Sequence, residues 1–254
     1  MNLLLATEVV LQRVQSTTGR PVEIVEDAEQ QHLARMTRAR DGATTHLLRT
    51  NPTMGDPNYL IVYECGFVLR QFDVPTDNRV DFAPTGEGRR EMERLVKRAG
   101  QTARLPEAAI PMLVDKFFTG LLVQLRSLPI GMRIDTWIRR EFPDLLELQR
   151  EAAARQQSDN LSVLKPEVKQ FAPKGAYDPN ATMNAAHAVF CDRVFGNAGY
   201  VIPWRSAGYD KAGRKLLDLM DSVPADPASD RKLVDAWAEQ LGLDGWYQWV
   251  PMRP

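Results

Sequence analysis

An α+β fold with far more helix than strand is what this sequence predicts, and three observations carry the prediction. Strand signals crowd into residues 21–50 around a single Asp-Gly step. Helical periodicity recurs through most of the chain that follows. The 254 residues, 44% hydrophobic and 26% charged, are enough for a real core.

Each element has its own signal. Leu3, Leu4, Val9, Val10 and Val14 make a helical stripe that ends near Gly19. Residues 21–26 (PVEIVE) alternate and predict a strand. Residues 32–40 and 43–50 predict two more. Asp41-Gly42 between them is a hairpin signal, because the favoured turn needs positive φ at both central positions. After a polar loop, residues 59–72 (YLIVYECGFVLRQF) are apolar on nearly every side, the mark of a buried helix. Residues 89–97 predict a charged, solvated helix.

Residues 106–128 are the most apolar stretch, with Leu113, Phe117, Leu121 and Leu125 at the spacing of a central core helix. Residues 135–140 continue it, and Pro143 restarts a helix through residue 155. Residues 156–179 hold Pro166, Pro173, Gly175 and Pro179 and predict a meandering connection. Asn180 is placed to cap a helix that uses Met183, Ala186, Phe190 and Val194. A last helix spans residues 230–241 and stops at Gly242. Trp237, Trp246, Tyr247 and Trp249 are expected to dock on the core.

Charge and cysteine usage exclude several classes. With 32 Lys+Arg against 33 Asp+Glu, the net charge is -1, so nucleic acid is not expected as a direct ligand. Residues 1–14 have no basic start and Glu8 interrupts them, which reads as an amphipathic helix, not a secretory signal. No apolar run is expected to reach bilayer-spanning length, and no membrane contact is expected. Cys65 and Cys191 are too few for a disulfide framework and predict free thiols in a reducing cytoplasm.

The informative stretch is Tyr63-Glu64-Cys65-Gly66-Phe67. Zinc peptidases of the zincin type carry His-Glu-x-x-His on a helix, where two His on one face bind the metal and the Glu activates its water. Glu64 stands at the Glu position and Gly66 at a small position. Tyr63 and Phe67 stand where the ligands would be. The string NYLIVYECGFVLRQF, followed by Pro75 and preceded by helix, strand and hairpin, resembles the motif helix of ImmA/IrrE-type metallopeptidases. Residues 121–149 resemble the helical half of some IrrE-like proteins.

The resemblance implies a zincin-like domain over residues 1–155, while the composition shift predicts a linker at 156–179 before a C-terminal helical region, 180–254, packed on the first. It also implies a setting beside bacterial stress or defence regulators. The departure from the motif implies loss of metal. Phenylalanine has no lone pair, and tyrosine ligates only as a phenolate, about three pKa units from neutrality. Glu87, Glu91 and Glu93 are the possible equivalents of the third ligand.

The sequence therefore predicts a pseudo-metallopeptidase that binds a peptide or protein in a cleft lined by Tyr63, Glu64, Phe67 and Glu91. It has no cofactor, and Glu64 is a remnant general base. Two alternatives stay open: a working hydrolase with a rebuilt site around Glu64, and a plain helical interaction protein. His187 and Cys191, at i and i+4, could present two metal ligands, or be a buried His and an ordinary core Cys. His32 and His46 are expected as half-exposed residues on the two hairpin strands.

Overall fold

The computed structural model describes residues 2–40, 42–103 and 106–252. It is mostly helical with two small sheets, the α+β class expected. The chain divides into two compact units. One takes the chain up to Asp81, Arg133–Ala152 and the chain from Pro251. The other takes Phe82–Met132 and Ala153–Val250. The units therefore follow neither the boundary at 155 nor the segment order that the sequence predicts.

The first unit opens with α1 (Leu5–Thr18), stopped by Gly19 at φ 71, whose N–H reaches Gln15 O. Glycine takes that left-handed position without a Cβ penalty. Thr7, Val10 and Val14 form the buried face, while Val9, expected in the stripe, is exposed. Three strands follow: β1 (Val22–Glu26), β2 (Ala34–Thr37) and β3 (His46–Thr50). β3 lies in the middle, parallel to β1 and antiparallel to β2. α2 (Asn58–Phe72) packs on α1 and on β2. Asn58, at its start, accepts hydrogen bonds from Leu4 N at 2.9 Å and Thr7 Oγ1 at 2.7 Å. One buried amide thus satisfies an orphan N–H at the start of α1.

The hairpin differs from the simplest expectation. The ladder ends at Thr37 opposite Leu47, so residues 38–45 connect the strands in place of a two-residue turn. Ala43 N still donates to Arg40 O at 3.0 Å, and Gly42 takes a left-handed φ of 83. Asp41 itself lies outside the described residues. The same register separates the two histidines. His46 is fully buried, accepting Ala39 N at 3.1 Å on Nδ1 and facing Thr18 Oγ1 at 3.1 Å with Nε2. His32 lies outside β2, exposed, at the other end of the ladder. Neither is the half-exposed strand residue expected.

The second unit contains α3 (Gly86–Ala103) and α4 (Ile110–Glu141) up to Met132. Beyond Ala153 it holds the rest of α5 (Leu146–Asn160), then α6 (Pro166–Phe171) and α7 (Lys174–Phe195). α8 (Ile202–Ser206), α9 (Asp210–Ser222) and α10 (Asp230–Leu241) complete its helices. Strands β4 (Val80–Pro84) and β5 (Tyr247–Pro251) form the second sheet.

The predicted connection at 156–179 is instead helical over most of its length. Pro166 opens α6 and Pro173 precedes α7, positions where a missing N–H costs nothing. Asn180 is consequently inside α7, not its cap, and its Nδ2 donates to Gln124 Oε1 at 2.7 Å.

The core of this unit joins Val114, Phe118, Leu121, Leu122 and Leu125 of α4 to residues of α7, α9 and α10. Leu121 and Leu125 are buried as the predicted stripe requires, while Leu113 and Phe117 are only partly buried and Val114 and Phe118 face the core beside them. α7 and α9 approach so closely that a Cβ on Gly213 would lie 2.7 Å from Ala186 N and 2.8 Å from Ala185 C. Trp237 is fully buried, its Nε1 bonded to Leu216 O at 2.9 Å. The aromatic tail docks as expected. Tyr247 stacks on Phe82 at 4.3 Å, and Asp235 accepts from both Tyr247 and Trp249 at 2.7 Å.

One helix departs from the expectation that no apolar run reaches bilayer-spanning length, by a test that the core helix of a soluble protein also passes. Residues 107–141 form a helix long and apolar enough, by length and composition, to cross a membrane.

Candidate functional site

The candidate site is built on α2, in the first unit. One side of the helix buries Ile61, Val62, Cys65, Val68 and Leu69. Tyr59, Tyr63 and Phe67, at i, i+4 and i+8, form a ladder of rings along it. The Tyr59 and Tyr63 centroids are 6.0 Å apart, and Tyr63 meets Phe67 edge-to-face at 5.4 Å. Both motif positions that a zincin fills with ligands are thus engaged in aromatic packing.

Glu64 points to the sheet. Its Oε2 accepts the Met36 backbone N–H at 3.2 Å. β2 pairs with β3 alone in its sheet, so this bond satisfies an amide on the free edge. Gly66 is small for a packing reason: a Cβ there would lie 2.6 Å from Ile134 Cγ2.

Three residues that sequence reasoning missed complete the cluster. Asp135, on the Arg133-to-Glu141 part of α4, is 9% exposed. Tyr59 Oη donates to its Oδ1 at 2.5 Å. Gln149 Nε2, from α5, donates to Asp135 Oδ1 and to its backbone oxygen, both at 3.0 Å. Gln149 Oε1 is buried with no hydrogen-bond partner among the described residues. A signal existed: Asp135 is an acid set between Ile134 and Ile138, both fully buried. Nothing local could have paired it with Tyr59, 76 positions away.

Electrostatics follow from burial. Burial pushes the Asp135 carboxyl up to about 6, although the bonds from Tyr59 and Gln149 favour its charged form. Burial also raises Tyr63 well above the ordinary phenol range, helped by the charges of Asp135 and Glu64. The phenolate a metal would need is therefore less accessible than in water. The Cys65 thiol is pushed up to about 12 by burial and then by Glu64, which makes it inert.

The remaining predicted residues fall elsewhere. Glu91 is on α3, in the second unit, paired with Arg94 at 2.7 Å; Glu93 pairs with Lys97 at 2.6 Å. These are the solvated pairs expected of that face. Next to the hairpin loop, Asp81 meets Arg38 at 3.1 Å and Arg40 at 3.6 Å. Burial opposes the Asp81 charge, yet Arg38, Arg40 and Gln71 hold its carboxyl below the usual range.

His187 and Cys191 do come together inside α7, with Sγ 3.6 Å from Nε2. Gln157 Nε2 meets His187 Nδ1 at 2.9 Å and Cys191 Sγ at 3.5 Å. Burial takes His187 down to about 4, so the imidazole is neutral. Among the described residues, no group of three or more His, Cys, Asp or Glu could hold a metal ion.

Compared with protein-family models, with curated proteins and with solved structures, the chain matches none.

Proposed function

We propose that the first unit is a zincin-like module of the ImmA/IrrE type that has lost its metal centre and binds a peptide or protein segment as a regulatory module. The observation that carries this reading is the state of the three motif positions. Tyr63 and Phe67 pack edge-to-face where two ligands would stand, and Glu64 is engaged by the Met36 amide. The order helix, strand, two antiparallel strands, motif helix supports the zincin comparison, as does the antiparallel edge strand beside that helix. Two free, buried thiols suit a reducing cytoplasm in a bacterial stress or defence setting.

The test is the zinc content of the purified chain after mild chelation and zinc re-addition. We expect less than about a tenth of an equivalent, since a genuine site holds zinc tightly. Near one equivalent would overturn the proposal and favour a working hydrolase with Glu64 as general base. Loss of peptidase activity in Glu64→Gln would then identify that base.

A further inference from the structure

The register of the first sheet sets Arg35 of β2 directly opposite Arg49 of β3. Both lie on the face turned away from Ala34, Leu48 and Thr50, the buried residues that alternate with them. Like charges opposite one another on neighbouring strands are destabilising. Asp27 answers Arg49, at 3.5 Å. Arg35 is exposed and makes no hydrogen bond or ion pair among the described residues.

The two arginines border an open cavity of about 330 Å³, and residues 27–32 supply the rest of its lining. That segment is fixed in place. Asn51 Nδ2 donates to Ala28 O at 3.1 Å and to Gln30 O at 2.7 Å. Gln30 Nε2 donates to His32 O at 2.8 Å and to Arg49 O at 3.0 Å. Asp27 Oδ1 accepts Glu29 N at 3.1 Å. The Glu29 side chain, which also lines the cavity, has no hydrogen bond or ion pair among the described residues. One cation and one anion therefore border the same space without meeting each other. A ligand that is only an anion is opposed by Glu29, and one that is only a cation is opposed by Arg35. A ligand that carries both charges close together satisfies both.

We propose that this cavity binds a small zwitterion, a free α-amino acid, with its carboxylate on the Arg35 and Arg49 guanidinium groups and its ammonium on Glu29. The planar guanidinium fork matches the two oxygens of a carboxylate. The carboxylate also places a negative charge between the two opposed arginines. The site uses no residue of α2, so it stands apart from the reading of the motif helix.

The experiment screens the proteinogenic α-amino acids against the full chain by saturation-transfer NMR and measures the best binder by isothermal titration calorimetry. We expect at least one to bind with a Kd in the millimolar range or tighter. N-acetylation removes the ligand's ammonium and methyl esterification its carboxylate. Each should weaken binding about tenfold or more, the scale of a hydrogen bond to a charged group. Arg35→Gln and Glu29→Gln alter exposed side chains and should each weaken the free amino acid about tenfold. Glu29→Gln should not weaken the N-acetyl derivative, and Arg35→Gln should not weaken the methyl ester. An N-acetyl derivative that binds as well as the free amino acid would overturn the proposal in favour of a plain anion site. Binding untouched by both substitutions, or no binding of any amino acid, would overturn it outright.

Discussion

Replacing Asp135 by Asn is expected to make the protein progressively more stable than the parent as pH rises from 4 to 8. The group sits at about 6 in the folded protein against an ordinary carboxyl value of 3.8. A carboxyl raised on folding holds its proton longer in the folded state, so the folded form binds more protons across that window. Stability from this group is therefore greatest below pH 4. It falls as pH rises through the interval and is flat above about 6. Two units correspond to about 3 kcal/mol, the expected spread between the ends of the profile. Asn keeps the oxygen that accepts from Tyr59 and Gln149 and cannot ionise. His187, lowered to about 4, works in the opposite direction, because its unfolded form takes up a proton first. The raw profile is a sum of such terms, and the difference between variant and parent isolates Asp135. Urea titrations at several pH values give that difference. A difference that does not change with pH would mean that Asp135 ionises as in water.

Gly213→Ala is expected to destabilise the chain by about 1 kcal/mol net, although alanine is the better helix former. Propensity alone favours the substitution by about 1 kcal/mol. Against it stands the contact with α7, where the new Cβ meets backbone atoms at 2.7 and 2.8 Å. A side-chain end could rotate away, but backbone cannot, so the two helices must separate. Overpacking of this kind costs about 1–3 kcal/mol and occasionally more. Gly120→Ala, on α4 with nothing within 4 Å of the new Cβ, is the control and should be stabilising. Chemical denaturation of the two variants side by side reads the sign. Equal stabilisation by both would show that α7 and α9 are not in this close contact.

The parts of the fold that were legible are those set by neighbouring residues. Gly19 and Gly242 end α1 and α10 because a left-handed residue is needed there and glycine supplies it. The α2 helix was readable, and with it the shared face of Tyr63 and Phe67. What sequence could not supply is set by distant chain. The proline-rich stretch at 156–179 looked like a connection because proline breaks helices, yet Pro166 and Pro173 sit where helices begin. In the first turns of α4, Val114 and Phe118 face the core beside the partly buried Leu113 and Phe117, because partners from α7, α9 and α10 select them. His46 was missed as a core residue, since its partners are a hydroxyl 28 positions earlier and an amide in the loop. Asp135 and Gln149 escaped for the same reason.

The interleaving of the two units has a consequence for synthesis on the ribosome. Residues 2–72 emerge as a continuous piece that can pair its three strands and lay α2 on them. Tyr59, however, finds Asp135 and Gln149 only after residues 82–132 have left the exit tunnel. Arg79 O meets its partner, Met252 N, only at the end. The apolar face of Val114, Phe118 and Leu122 is made before α7 and α10 exist to cover it. A nascent chain of this layout carries exposed apolar surface through much of its elongation, the condition under which chaperone capture competes with folding. A fragment cut at residue 155 would freeze the molecule at that stage.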